Sequence, residues 1–391
     1  MIYLSLSNPN HECEATIFNT PKLLTKVVII LLTAGLPPPN TMASDAQSST
    51  HSSLTSADDD LAQKVDGLMQ DYDGDNIPGA SLAIFSEDKV LLQKNYGLRN
   101  LENHEFVDSS TNFRTASLTK AFTATAIMQL NESGKLDLNS SLQDLFEDFP
   151  AYGSKITIHH LLTHTSGLLD YENLIPANQQ GQVTDRDVLK IMQKQRSTYF
   201  TPGTRFRYSN TGYAILAEVV SKISERPFHE YLKEQIFEPL GMTETVAHVA
   251  GENAVNNRAY GYSLLTSGYK RTDQSQTSAV LGDGGVYSSS EDLRKWHRMW
   301  DGGDGVLSEA SKSRMVTANR LQNGTLTKYG YGWFIDDFEG QRRISHTGST
   351  IGQKHSIAIF PERKLAILIL TNRENSAPWL IGDRIAKLIL N

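Results

Sequence analysis

Ser117-Leu118-Thr119-Lys120, followed by Ala121-Phe122-Thr123-Ala124-Thr125-Ala126-Ile127-Met128-Gln129-Leu130, is the stretch on which the reading of this chain turns. The run from Ala121 is Ala-rich and free of Gly and Pro, so it predicts a helix with Gly134 as its C-terminal cap. It is mostly apolar, which predicts burial. Ser117 and Lys120 stand at its head, three apart and therefore on one face, about one turn from each other. The free N–H groups and positive dipole end of a helix start favour negative charge developing on Ser117. A buried ammonium is costly unless paired, which suits Lys120 to accept the Ser117 proton. The same residues also read as an N-cap serine and a solvated first-turn lysine. On the helix alone that plainer reading has the better case, because capping serines far outnumber nucleophiles.

Working outward, the Ser-x-x-Lys spacing recurs at Ser86 and Ser267. Ser86-Glu87-Asp88-Lys89 lies between the apolar-rich runs Ala80–Phe85 and Val90–Tyr96 and reads as a hairpin turn. Ser267-Gly268-Tyr269-Lys270 lies in a Gly/Ser/Thr-rich stretch and also reads as a turn. Tyr-x-Asn occurs at Tyr171 and at Tyr208. Tyr208-Ser209-Asn210 follows the turn signal Thr201-Pro202-Gly203-Thr204 and precedes a helical run, Tyr213–Ile223, which puts Tyr208 on a short loop able to project into a cleft. Near a lysine its phenol is a candidate general base. The Asn210 amide can donate to a substrate carbonyl or hold Lys120. The alternative is a loop-anchoring Tyr and a helix-capping Asn.

His346-Thr347-Gly348 follows Arg342-Arg343-Ile344-Ser345, with Ile357–Phe360 and Lys364–Leu370 beyond it. The composition predicts adjacent antiparallel strands. A Gly in a strand lets another backbone or a ligand approach closely. A substrate acyl group could pair along that edge, with the N–H of Ser349 joining that of Ser117 as an oxyanion hole. The alternative is a bulge with a surface histidine.

Taken together, these pieces resemble the serine β-lactamase-related family: class C β-lactamases, penicillin-binding D,D-carboxypeptidases, D-aminopeptidases and esterases. Leu161-Leu162-Thr163-His164-Thr165-Ser166-Gly167-Leu168, Gly284-Gly285-Val286-Tyr287-Ser288-Ser289 and Tyr329-Gly330-Tyr331-Gly332-Trp333 fit as well, so the resemblance runs from about Ile77 to the C-terminus. It implies that Ser117 is the acylated nucleophile, that Lys120 and Tyr208 form the proton-transfer pair, and that Asn210 orients substrate. It places His346, Thr347, Gly348 and Ser349 on the substrate-binding strand. The β-lactamases carry Lys-Thr-Gly where this chain has His-Thr-Gly. A lysine is a permanent cation for the β-lactam carboxylate, whereas a histidine is mostly neutral at neutral pH. No arginine stands within Tyr329–Ile335 to replace that charge.

Other signals are weaker. Asp71-Tyr72-Asp73-Gly74-Asp75-Asn76 has neither the Gly nor the Glu that a calcium loop needs at its sixth and twelfth positions. His159, His160 and His164 lack a matching carboxylate for zinc, and a structural role in the turn before Gly167 is the expectation. There is no Gly-x-Ser-x-Gly elbow, phosphate loop or dinucleotide fingerprint. A net charge of −7 with no dense basic patch argues against nucleic acid as a partner. Lys22 and Lys26 precede the apolar run Val27–Leu36 and the small-residue site Thr41-Met42-Ala43, so residues 1–43 read as a signal peptide. Retained, the same run reads as an anchor. Residues 44–56 read as a Ser/Thr-rich disordered linker. The only cysteine, Cys13, precedes the apolar run and is neither a lipid site nor a catalytic thiol.

The expected architecture is α+β. A hairpin at Gly79–Tyr96 and strands at Ile344–Leu370 bury their apolar faces together, with Pro378–Leu390 as a closing helix. An antiparallel sheet flanked by helices would be formed by residues 57–135 with 281–391, and residues 136–280 would form a mostly helical subdomain. The resemblance implies a β-lactamase/transpeptidase-like fold with the site in the crevice between the parts. It also implies a periplasmic or secreted serine hydrolase that needs no metal or cofactor, with no stable membrane insertion once the signal is cleaved. Its substrates would be D-amino-acid peptides of the cell-wall type first, then esters, with β-lactams as substrates or slow inhibitors. The competing expectations are a carboxylesterase or D-aminopeptidase of the same fold, an inactive binding or scaffold protein, and a membrane-tethered structural domain.

Overall fold

Strands buried most deeply at the centre build a six-stranded antiparallel sheet, and helices cover both of its faces. The computed structural model describes residues 56–86, 89–301 and 305–390, so the expectations for the signal peptide, the linker up to residue 55 and Cys13 lie outside the described residues. The elements that position the site are α1 (Ser56–Met69), β1 (Ala80–Ser86), β2 (Lys89–Tyr96), α2 (Thr119–Glu132), α3 (Asn210–Ser224), β3 (Phe334–Phe338), β4 (Gln341–Thr350), β5 (Gln353–Phe360), β6 (Leu365–Thr371) and α4 (Pro378–Leu390). The sheet order is β3-β4-β5-β6-β1-β2, and every neighbouring pair is antiparallel.

Alternation decides which face each strand residue serves. Leu82 and Ile84 of β1 join Ile367 and Ile369 of β6 against Val65 and Met69 of α1 and Ile385 of α4. Ala83 and Phe85 join Leu368 and Leu370 on the opposite face, in the larger core that includes Phe122 and Ile127 of α2. Every residue of β6 is buried, which is why Leu365–Leu370 reads as one unbroken apolar run. Phe122 is fully buried, with its ring on Phe237 and Trp296, and truncating it to Ala would cost about 3–5 kcal/mol.

The expected α+β arrangement is observed, including the hairpin, the C-terminal strands and the closing helix at Pro378–Leu390. Ser86 pairs with Lys89 across the β1–β2 hairpin, and Ser267 sits at the tip of the hairpin Tyr262–Leu265/Gly268–Arg271, so neither surplus serine starts a helix. Residues 136–280 carry that hairpin and the strand Val246–Ala247 among their helices.

Two features aim the sheet at α2. The pairing of β3 with β4 stops at Phe334↔Ser345, so His346–Thr350 are laddered only to β5. A Cβ on Gly348 would lie 2.4 Å from the Thr115 carbonyl oxygen, so glycine is what lets this open strand edge lie against the turn leading to Ser117.

Candidate active site

Ser117 lies in the 3-10 turn Ala116–Leu118 that runs directly into α2. The turn is pinned from behind, since both the N–H and the hydroxyl of Thr115 donate to the Val286 carbonyl, at 2.8 and 2.9 Å. Ala116 is buried with φ +49°, a left-handed conformation that costs an L-residue about 1–2 kcal/mol. The backbone strain therefore sits one residue before the serine, a common place for it in sites that over-determine a side chain.

Lys120 is fully buried, and its Nζ meets three oxygens: Ser117 Oγ at 3.1 Å, Asn210 Oδ1 at 2.8 Å and the Asp283 carbonyl at 2.7 Å. Three acceptors match the three hydrogens of an ammonium. Asn210 can serve this hub because Ser209, not Asn210, caps α3 by accepting the Gly212 N–H. The other end of the Asn210 amide donates to Glu172 Oε1 at 2.8 Å. Tyr171 donates its hydroxyl to Asp283 Oδ2 at 3.2 Å. Burial pushes the Asp283 carboxyl up to about 6, against the opposing pull of Lys120. A cavity of about 80 Å3 opens beside the serine, with Ser117, Glu172, Asn210, Asp283 and Ser349 in its lining.

The expected pairing of Lys120 with Tyr208 takes a different form. Lys120 Nζ lies 5.0 Å from the centroid of the Tyr208 ring, and the buried Tyr208 hydroxyl has no hydrogen-bond partner. The physical reason is that Ser117, Asn210 and Asp283 already occupy Lys120. The ring itself is held by packing, 4.2 Å from the ring of His164 and stacked at 6° on Phe334.

His346 is not the surface residue of the alternative reading. It is 2% exposed, its Nδ1–H donates to the Thr347 carbonyl at 2.8 Å, and its Nε2 accepts the Tyr329 hydroxyl at 3.1 Å. Burial, with the charge of Lys120, pushes its pKa down to about 3, so the ring is neutral and presents no cation to a substrate. Thr347 and Ser349 are exposed on the open edge, and Gly348 is buried between them. Of the nearby cations, Arg342 donates to the Val316 carbonyl and Arg343 is bridged to Asp336 and Asp383. Lys354 alone of the three reaches this edge, with its ammonium on Ser349 Oγ.

The other histidines hold local structure. His159 bonds the Tyr331 hydroxyl and Asn319, and His160 accepts the Thr157 N–H. Sequence reasoning missed Glu172, Asp283 and Tyr329. The first lies in the other Tyr-x-Asn copy, Tyr171-Glu172-Asn173, the second directly precedes the quoted Gly284-Gly285 stretch, and the third opens another quoted stretch. Among the described residues no helix is long and apolar enough to cross a membrane.

Comparison with known proteins adds relatives to this geometry. A curated penicillin-binding protein of Bacillus subtilis (strain 168) is 30% identical over 305 residues, 74% of this chain and 67% of that protein. The chain spans about two thirds of the length of such curated relatives, 67% and 63% of the first two. A penicillin-binding protein homologue from Pyrococcus abyssi, whose structure is octameric, superimposes with a TM-score of 0.72 at 28% identity, covering 85% of this chain and 77% of that one. The D-amino acid amidase of Ochrobactrum anthropi SV3 superimposes with a TM-score of 0.72, covering 85% of this chain and 99% of its own, and at 22% identity shows the shared fold alone. A family model described as Beta-lactamase matches residues 61–390. With that match across the sheet, α2 and the Lys120 hub, the chain belongs to the Beta-lactamase family, whose members are serine hydrolases.

Proposed function

We propose that this chain is a periplasmic or secreted serine hydrolase that acts through an acyl-enzyme on Ser117. The leading substrates are amides of D-amino-acid peptides, and simple esters come second. The observation that carries the reading is the contact of Lys120 Nζ with Ser117 Oγ, fixed by Asn210 and the Asp283 carbonyl. A neutral Lys120 amine would keep two N–H bonds, to Asn210 and Asp283, and turn its lone pair to the Ser117 O–H. Ser117 Oγ then attacks the substrate carbonyl as its proton passes to Lys120. The oxyanion develops between the N–H groups of Ser117 and Ser349. The leaving amine or alcohol departs with a proton delivered through the Lys120/Tyr208 pair, and the free Tyr208 hydroxyl is suited to pass it on. Water then adds to the acyl-enzyme, giving up a proton to the same pair, and the acid is released with Ser117 restored. The substrate backbone lies along the unpaired edge Thr347–Ser349.

The neutral, fully bonded His346 ranks β-lactams below peptides and esters, because a permanent cation is missing at that strand position. The test is steady-state hydrolysis of a p-nitrophenyl ester, a D-alanyl-D-alanine peptide and benzylpenicillin by the wild type and Ser117→Ala. Ser117-dependent turnover of ester or peptide, with slow penicillin turnover, is expected. Turnover that survives Ser117→Ala contradicts the proposal.

A further inference from the structure

Tyr208 sits in a loop, where directional support is scarce, yet its backbone is tied on both sides to one residue. The Arg207 N–H donates to the His164 carbonyl at 2.9 Å. The Ser209 N–H donates to His164 Nδ1 at 3.1 Å. Between those two bonds the His164 ring packs on the Tyr208 ring, with centroids 4.2 Å apart and planes at 35°. His164 is 1% exposed and is itself wedged against Tyr213 of α3 and Tyr329.

We infer that His164 is a positioning residue for Tyr208, clamping the backbone before and after it and setting the direction of its phenol. The inference rests on the role proposed above for Tyr208.

Two local costs are carried at His164. Its φ is +57°, in the region where L-residues are strained. Because Nδ1 accepts from Ser209, the neutral ring carries its proton on Nε2, and that atom is buried without a partner. Burial and the charge of Lys120 keep the ring neutral. A phenylalanine would supply the stacking face without the unpaired N–H. An asparagine would accept from Ser209 and tolerate the left-handed backbone better. Neither does both, and a ring with an acceptor nitrogen does. A residue serving only the core needs no acceptor, so the bond to Ser209 separates a clamp from a filler.

The test is a double-mutant cycle read as kcat on a p-nitrophenyl ester. His164→Asn keeps an acceptor and removes the ring. It is expected to lower kcat about tenfold with KM nearly unchanged, as loss of orientation does, and to change kcat by no more than about twofold in a Tyr208→Phe background. Equal losses in both backgrounds, or no loss in the wild-type background, overturn the inference while leaving the role of Tyr208 intact. Tyr208→Phe with full activity removes the role of Tyr208 and the inference with it. Should His164→Asn fail to fold, nitrogen NMR of the unmodified chain decides. The His164 ring must show a proton on Nε2 and none on Nδ1 between about pH 5 and 8, the range where a free imidazole titrates. A proton on Nδ1 would overturn the clamp.

Discussion

Lys120 and Tyr208 are neighbours held by opposite means. Lys120 is fixed by three directional bonds to Ser117, Asn210 and Asp283, so its hydrogens are all committed. Tyr208 is fixed through its ring and its backbone, and its hydroxyl bonds to nothing. The difference shows how a small site can be both rigid and unfinished. The polar hub ties Ser117 Oγ to Lys120, while packing holds a phenol whose hydrogen-bonding capacity stays free. Hydrogen bonds restrict direction steeply, and packing restricts position without using up a donor.

Removing the atom that both regions serve gives the largest effect. Ser117→Ala is expected to lower kcat/KM on an ester by at least about 10^4-fold, with the fold retained by circular dichroism. Lys120→Met comes next, at about 10^3-fold, because it removes the amine proposed to take the serine proton and leaves Asn210 Oδ1 and the Asp283 carbonyl without their donor. Stability should fall as well, by about 1–3 kcal/mol in urea unfolding, from those unpaired buried acceptors.

Tyr208→Phe sharpens the contrast. Activity should drop about 10^2-fold, yet the urea midpoint should stay put, because the hydroxyl has no partner to lose. A clear loss of stability would show that the hydroxyl is bonded after all. Gly348→Ala tests the strand side of the site. Its Cβ would meet the Thr115 oxygen at 2.4 Å, so a stability loss of about 1–3 kcal/mol is expected from forced backbone movement.

The smallest effect is in pH. An unfolded histidine takes up a proton near its ordinary 6.5, whereas buried His346 does so only at about 3 and His355 and His297 at about 4. Below 6.5 the unfolded chain therefore binds more protons than the native one, and stability falls with pH. His159, His160 and His164 are lowered in the same way, while Asp283, raised from 3.8 to about 6, and the burial-raised carboxyls of Asp185 and Glu218 act in the opposite direction, three carboxyls against six imidazoles. The urea midpoint should decline steadily from about pH 7 to about pH 4.5, and a flat profile would mean that these rings are not buried neutral.

The sheet was legible because its apolar pattern is local. Ala80–Tyr96 and Ile344–Leu370 announce strands by composition, and Pro378–Leu390 announces the closing helix. What local pattern does not carry is which strands meet. The pairing of β1 with β6 joins segments nearly 300 residues apart, at registers such as Ala83↔Leu368, and rests on complementary faces rather than on either sequence alone. The site divides in the same way. Ser117, Lys120 and Asn210 were readable because their spacing is tied to helix starts. Glu172 and Asp283 were not, because each becomes part of the site only through a long-range hydrogen bond, to Asn210 or to Tyr171 and Lys120. His346 was located, but the burial and the nearby Lys120 charge that lower its pKa come from packing that nothing in the strand itself foretells. His164 reads from the sequence as part of a turn, and a histidine in a turn carries no sign of the distant loop its ring and carbonyl will meet.

The central claim is an acyl-enzyme on Ser117, and intact-protein mass spectrometry tests it most directly. The wild type and Ser117→Ala would be mixed with a p-nitrophenyl ester or benzylpenicillin, quenched in acid at short times and digested to locate any adduct. One acyl group on the peptide containing Ser117, formed in the wild type and absent from Ser117→Ala, is the predicted result. An adduct at another residue, or substrate consumption by the wild type with no adduct at any time, would contradict it.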